Sequence, residues 1–330
     1  MKIGKISEPM LRRSVLKRIS YKNKAVFKGA GLARDFASMN VNEDEDVILS
    51  TDTVTFGMDN IALYGVTKTE NNIVAAGGVI KGILIAVTMP SNTMESDVNL
   101  LMREVASVCK PKKIEILGGH TETVPYVTSM VVTFTGVGVR KKECNIDISN
   151  IKPGMDVVMS KEIGLEGTAL LSVNREKDLL KRFQKSFVEK TKRAIDDISV
   201  EKEAHIAAKM GVAAMHDVSR GGIFGALWEM ASSAGLGIEA YLDKIKVRQE
   251  TIEVCELLGL NPYTLVSGGA LLMITENGDL LKEELEKLEI RAEVIGKLTD
   301  SNDRVVIKGE ERRFLEPPKS DDIVKGWHYD

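Results

Sequence analysis

Short apolar runs of strand length alternate with longer segments of helical periodicity, and the turn-forming Lys152-Pro153-Gly154 divides that alternation into two halves. Such alternation restricts the chain to an α/β (α+β) fold in which strands and helices pack as layers. At 330 residues the chain exceeds what one hydrophobic core usually serves. The reading is two domains, over 1–150 and 151–330.

In the first half, the spacing of Met10, Leu11, Val15, Leu16 and Ile19 predicts an amphipathic helix over 7–20. Residues 43–46 read as a solvated acidic turn and 47–50 as a strand. The most apolar stretch, 73–90, reads as a buried strand, with its clearest part at 83–88. Asn92 or Thr93 is placed to cap a helix running to Cys109, with Pro111 as its stop. Residues 113–117 and 127–139 have strand patterns, the second with apolar residues on both faces. The second half predicts strands at 156–160, 271–275, 292–295 and 304–307. Its helices are expected over 176–198, 200–210, 222–234, 251–258 and 280–288.

Composition removes several function classes. The net charge of −3 leaves no basic footprint for nucleic acid, and 5% aromatic residues give no stacking platform for bases. No run is long enough and apolar enough to span a bilayer, and residues 1–20 lack the apolar block of a signal peptide. Cys109, Cys144 and Cys255 are far apart, which fits a reducing compartment better than a disulfide framework or a structural zinc site. The expected location is the cytoplasm.

Five segments place turn-forming glycines or strand ends beside polar side chains. Gly29-Ala-Gly31-Leu-Ala-Arg-Asp35 would let backbone approach a phosphate, or is an ordinary loop. Ser50-Thr51-Asp52 puts an acid at a strand end, where α/β sheets hold ligands, or forms a turn bonded to its own backbone. Asn71-Asn72 precedes an apolar run, as a helix cap or as a phosphate or metal contact through Asn72. Gly118-Gly119-His120-Thr121-Glu122 follows a strand and joins two glycines to three polar side chains, more than a simple turn needs. His216-Asp217-Val-Ser-Arg-Gly-Gly222 precedes a helix whose exposed N–H groups would suit an anion, or is an N-cap beside a satisfied core histidine.

Taken in order, these segments resemble the aminoimidazole-ribotide synthetase superfamily, nearest its HypE-like hydrogenase-maturation branch. Glu166-Gly-Thr168 and Ser267-Gly-Gly-Ala-Leu-Leu272 extend the likeness through the second half. The resemblance implies a two-domain architecture of the PurM type, with ATP held near the interface of a homodimer whose N-terminal sheets close into a barrel. It implies magnesium bridging phosphates and protein oxygens, with Asp35, Asp52 and Asn72 as the metal positions. Gly29, Gly31, Thr51, Asp52, Asn72, Gly118, Gly119 and Thr121 are the nucleotide-binding candidates, and His120, Glu122 and Asp217 the catalytic ones. A small-molecule or amide acceptor and a maturation partner protein complete the expectation.

Two departures stand out. Asn72 replaces an aspartate, removing one anionic ligand, and His120 stands where several branches have an acid. In addition, HypE carries its carbamoyl group on a terminal cysteine, whereas this sequence has its last cysteine at 255. The readings left open are an ATP-dependent enzyme with an unidentified acceptor, a nucleotide-binding regulator or scaffold without turnover, and a kinase of the thiamine-monophosphate type.

Overall fold

The computed structural model describes residues 8–10, 12, 26–28, 32, 37–40, 42–55 and 60–328. They group into two compact units, one essentially Asp35–Glu143 with Asn23–Gly29, the other Cys144–Asp330 with two short N-terminal segments. One helical turn, α1 (Glu8–Met10), groups with the second unit. Most of the helix expected over 7–20, and the glycine segment 29–35 apart from Leu32, lie outside the described residues.

The first unit runs β1 (Val26–Lys28), β2 (Ala37–Asn40), β3 (Glu45–Val54), α2 (Ile61–Ala75), β4 (Val79–Pro90), α3 (Glu95–Lys112), β5 (Glu115–Val124) and β6 (Val131–Lys141). Its sheet has the order β1-β2-β3-β6-β4-β5. Neighbours are antiparallel except β4 and β5, a parallel pair that needs the long α3 crossover. Along β6, Val132, Phe134, Gly136, Gly138 and Arg140 are buried, while Val131, Thr133, Thr135, Val137 and Val139 stay half-buried on the opposite face. That period of two is the pleat. Helix α2 packs across β3, β6 and β4, and α3 lies against α2 and β5.

Glycines set how close α2 comes to the sheet. A Cβ at Gly65 would fall 2.1 Å from the Phe134 ring, and one at Gly136 would fall 2.6 Å from Thr69 Cγ2. The helix is consequently enclosed on nearly every side, with Thr67, Lys68, Thr69, Glu70, Asn71 and Asn72 all buried.

Several expectations are corrected here. Asn71 and Asn72 do not cap or open a helix; they lie near its end, and Ile73–Ala75 complete α2 rather than beginning a strand. The helix stops because Gly77 adopts φ 76° and the N–H groups of Gly77 and Gly78 turn back to Val74 and Ile73. Asp46 is not part of a solvated turn: it is buried in β3, 3.5 Å from Arg140, whose Nη1 also donates to Ala76 O. The cap of α3 is Met94, whose N–H donates to Asp97 at 3.0 Å, and Pro111 sits inside the last turn. Gly118–Glu122 is not a turn after a strand but the body of β5. Leu117 bulges out of register there, and Gly119 is required because a Cβ would lie 1.8 Å from Ile85 O.

The second unit runs β7 (Asp156–Ser160), α4 (Leu165–Asn174), α5 (Glu176–Arg182), α6 (Lys185–Lys192), α7 (Glu201–Lys209), β8 (Ala214–Asp217), α8 (Gly222–Ala234), β9 (Gly237–Tyr241), α9 (Gln249–Leu258), β10 (Leu271–Thr275), α10 (Gly278–Glu286), β11 (Ala292–Thr299), β12 (Arg304–Lys308), β13 (Glu311–Phe314) and α11 (Asp322–Gly326). Its sheet order is β13-β12-β9-β11-β7-β10-β8, antiparallel except for β9 with β12. β8 and β10 are buried throughout, and Val157, Met159, Leu272 and Ile274 join Ile223, Leu227 and Met230 of α8 in one core. The single helix expected over 176–198 is broken at Phe183, which turns extended so that its ring meets Phe187 at 4.5 Å.

Candidate nucleotide site

In the first unit, polar groups meet where β3 faces α2. Residues two apart on a strand share a face, as do residues four apart on a helix. Ser50 and Asp52 therefore look toward α2, and Lys68 and Asn72 look toward β3. The Asn72 amide donates through Nδ2 to Ser50 Oγ at 3.0 Å. Lys68 Nζ lies 3.5 Å from Asp52 Oδ2, and the two side chains are 8% and 21% exposed. The Lys68 ammonium also lies 5.6 Å from the Tyr64 ring centroid, within cation–π range.

Asp52 is the least enclosed group of this cluster, so an incoming ligand would meet its carboxylate first. On the same side of the sheet, Lys112 Nζ is 2.6 Å from the buried Glu70. Arg140, already placed beside Asp46, completes a pattern in which each of these acids has a basic neighbour.

The other expected residues are spread out. Thr51 points to the opposite face, where its hydroxyl meets that of Thr135 at 2.9 Å. His120 and Glu122 lie on that opposite face too, on edge strand β5, with His120 Nε2 3.7 Å from Glu122 Oε2 and both side chains well exposed. Pairing places His120 beside Ala86 and Glu122 beside Thr88, with Gly118 beside Leu84. Thr121 and Gly119 take the alternate positions of that strand. Three strand spacings, roughly 14 Å, separate β5 from β3, so this unit does not by itself bring His120 and Glu122 to Asp52. Gly29, Gly31 and Asp35 lie outside the described residues.

In the second unit, Asp217 ends β8 and is buried, opposite Leu271. The anion seat expected at the start of α8 is filled by the protein itself. Asp321 accepts N–H bonds from Gly221 at 2.6 Å, Val266 at 3.1 Å and Ile323 at 2.8 Å. Burial pushes the Asp321 carboxyl up to about 6 despite those donors, and the neighbouring Glu166 acts in the same direction. Glu166 is buried and accepts from Gly268 N at 2.9 Å, so the Glu166-Gly-Thr168 and Ser267-Gly-Gly269 segments brace each other. A cavity of about 530 Å³ opens beside Gly221, between Phe224, Phe314 and Pro318.

The described residues do not by themselves make a divalent-cation site. No group of three or more His, Cys, Asp or Glu is arranged to hold an ion among them. Of the expected metal positions, Asp52 has an ammonium at its carboxylate, and Asn72 turns its amide nitrogen toward Ser50. Lys68 and Asp321 are charged groups at these two places that the sequence reading did not single out. Lys68 stands four residues before Asn72, a signal visible once residues 61–75 are known to be helical; Asp321 has no local signal.

The chain matches the AIR synthase related protein family, the N-terminal domain over residues 33–140 and the C-terminal domain over 152–308. A putative hydrogenase expression/formation protein of Methanocaldococcus jannaschii is 25% identical, covering 98% of this chain and 96% of that protein. Carbamoyl dehydratase HypE of Rhodobacter capsulatus is 26% identical, over 81% of this chain and 76% of its own length. Among solved structures, the hydrogenase maturation protein HypE in complex with ATP superposes with a TM-score of 0.72 at 18% identity, covering 98% of each chain. Both halves of the family are present and the fold is the two-domain PurM-like one: the chain belongs to the AIR synthase related family, close to its HypE members.

Proposed function

We propose that this protein binds ATP at the β3–α2 surface of its first unit and uses it to activate or phosphorylate a small-molecule or amide acceptor. The observation that carries the reading is the Ser50–Asp52–Lys68–Asn72 cluster, a set of polar groups that meet on one helix–strand contact of the first unit. The fold is shared with a HypE structure that holds ATP, and phosphoryl transfer depends chiefly on positioning and charge neutralisation. Magnesium enters this reading with the nucleotide phosphates, and Asp35, Asp52 and Asn72 are the residues that would offer it oxygen.

In the same reading the protein works as a homodimer in the cytoplasm, alone or with a maturation partner protein. Leu84 and Val79 are 41% and 45% exposed on the open face of the first sheet, beside half-buried Val137 and Val139. A second copy laid there would close the two sheets into a barrel, with His120 and Glu122 at its rim.

One observation favours a nucleotide-binding regulator without turnover: Asp52 already has Lys68 at its carboxylate and Asn72 supplies no charge. ATP hydrolysis measured with and without carbamoyl phosphate-derived and small phosphorylatable acceptors separates the two. Acceptor-stimulated turnover supports the enzyme; tight ATP binding with no turnover under any acceptor supports the regulator.

A further inference from the structure

We propose that Lys68 is the resident cation of the nucleotide site, so that nucleotide affinity depends only weakly on divalent metal. The inference rests on the ATP reading above and specifies which charge receives the phosphates.

Lys68 and Asn72 occupy one stripe of α2, and Ser50 and Asp52 occupy one face of β3, so the helix sets an ammonium and a carboxamide against a carboxylate and a hydroxyl. The Lys68 side chain is 8% exposed and its ammonium is 3.5 Å from Asp52 Oδ2. A lysine ammonium carries three N–H donors, enough to hold a carboxylate and a phosphate oxygen together. Asp52 is more exposed than Lys68, so the pair is open on the carboxylate side.

Charge decides the rest. A phosphate approaching a bare carboxylate is repelled unless a cation lies between them, the role a divalent ion takes where two or more acids converge. Among the described residues of the α2–sheet boundary the acids do not converge. Asp46 has Arg140, Glu70 has Lys112 and Asp52 has Lys68, each within 3.5 Å. A divalent ion at Asp52 would have to displace or crowd the ammonium, whereas a phosphate oxygen meets a positive charge already in position. Stability alone does not account for the pair, because a buried ion pair replaced by apolar groups is often neutral or stabilising.

The test is calorimetric titration with an ATP analogue resistant to hydrolysis, in a chelating buffer and in excess magnesium, on wild type, Lys68→Met and Lys68→Arg. Wild-type affinity is expected to differ by less than about threefold between the buffers. Lys68→Met should lose about tenfold or more in chelator, a factor read directly from the dissociation constants, and recover with magnesium. Lys68→Arg should stay near wild type, and thermal melts report whether each variant is folded. Wild type that binds only with magnesium overturns the proposal, and that comparison stands whether or not Lys68→Met folds. Equal affinity of Lys68→Met and wild type in chelator also overturns it. Binding in neither buffer overturns the ATP reading itself.

Discussion

The Asp321 carboxylate closes the amino end of α8 by accepting the Gly221 N–H at 2.6 Å. It joins the tail to the loop that the sequence marks as an anion seat, because the same carboxylate also accepts from Val266 and Ile323. Asp321→Ala leaves three N–H donors, two of them buried, without that acceptor and should destabilise the second unit by about 2–4 kcal/mol, read as a lower urea midpoint.

The same residue gives a pH signature. Its folded carboxyl titrates at about 6, above the ordinary value near 4, so the folded state holds the proton more tightly than the unfolded one. That contribution is present at low pH and is lost as pH rises through about 6. Urea unfolding at several pH values should show wild type losing stability relative to Asp321→Asn as pH rises from about 4 to about 6.5. Parallel curves for the two proteins would refute the assignment.

Asp52→Asn keeps the size of the side chain and removes its charge. Without the carboxylate that holds the Lys68 ammonium in place, nucleotide affinity should fall by about tenfold, while the thermal midpoint changes little because the residue is partly exposed. Unchanged affinity in calorimetry would remove Asp52 from the site.

A homodimer is expected by light scattering at micromolar concentration. Leu84→Glu places a charge on the open sheet face and should give a monomer with an unchanged circular dichroism spectrum. A wild-type monomer would refute the proposed barrel.

Thiol chemistry separates the cysteines. Burial, with Glu70 nearby, pushes the Cys109 thiol up to about 11, and burial, with Asp322 nearby, pushes Cys255 up to about 12. Both should resist a thiol reagent at neutral pH in the folded protein and react on unfolding, while half-buried Cys144 reacts first. Rapid native labelling of Cys255 would contradict its burial.

Where a fully apolar run had strand length or a glycine stood past a helical run, the sequence was readable. Leu271–Thr275 is the strand expected there, and α8 ends at Gly235 with φ 71° as a glycine stop requires. Helix α2 was not readable because it has no polar face of its own: Thr67 through Asn72 are buried against partners far along the chain. The β5 motif was expected to follow a strand over 113–117, whereas it forms the body of β5. Paired glycines usually mean a turn, but here they serve close contact between adjacent strands. The acid of the proposed site was expected just past a strand at 47–50, whereas Asp52 lies within β3, which runs on to Val54; its cation became visible only through helical spacing.

The strand order carries a consequence for synthesis. β6 is the last strand of the first unit in sequence, yet it lies between β3 and β4 in the sheet. Until Lys141 has left the ribosome, β3 and β4 have no common neighbour and α2 has no floor beneath Gly65 and Thr69. With glycine, threonine and asparagine lowering its intrinsic helicity, α2 cannot persist alone. The first unit therefore assembles late and all at once, and fragments that stop before β6 should emerge unstructured and depend on chaperones.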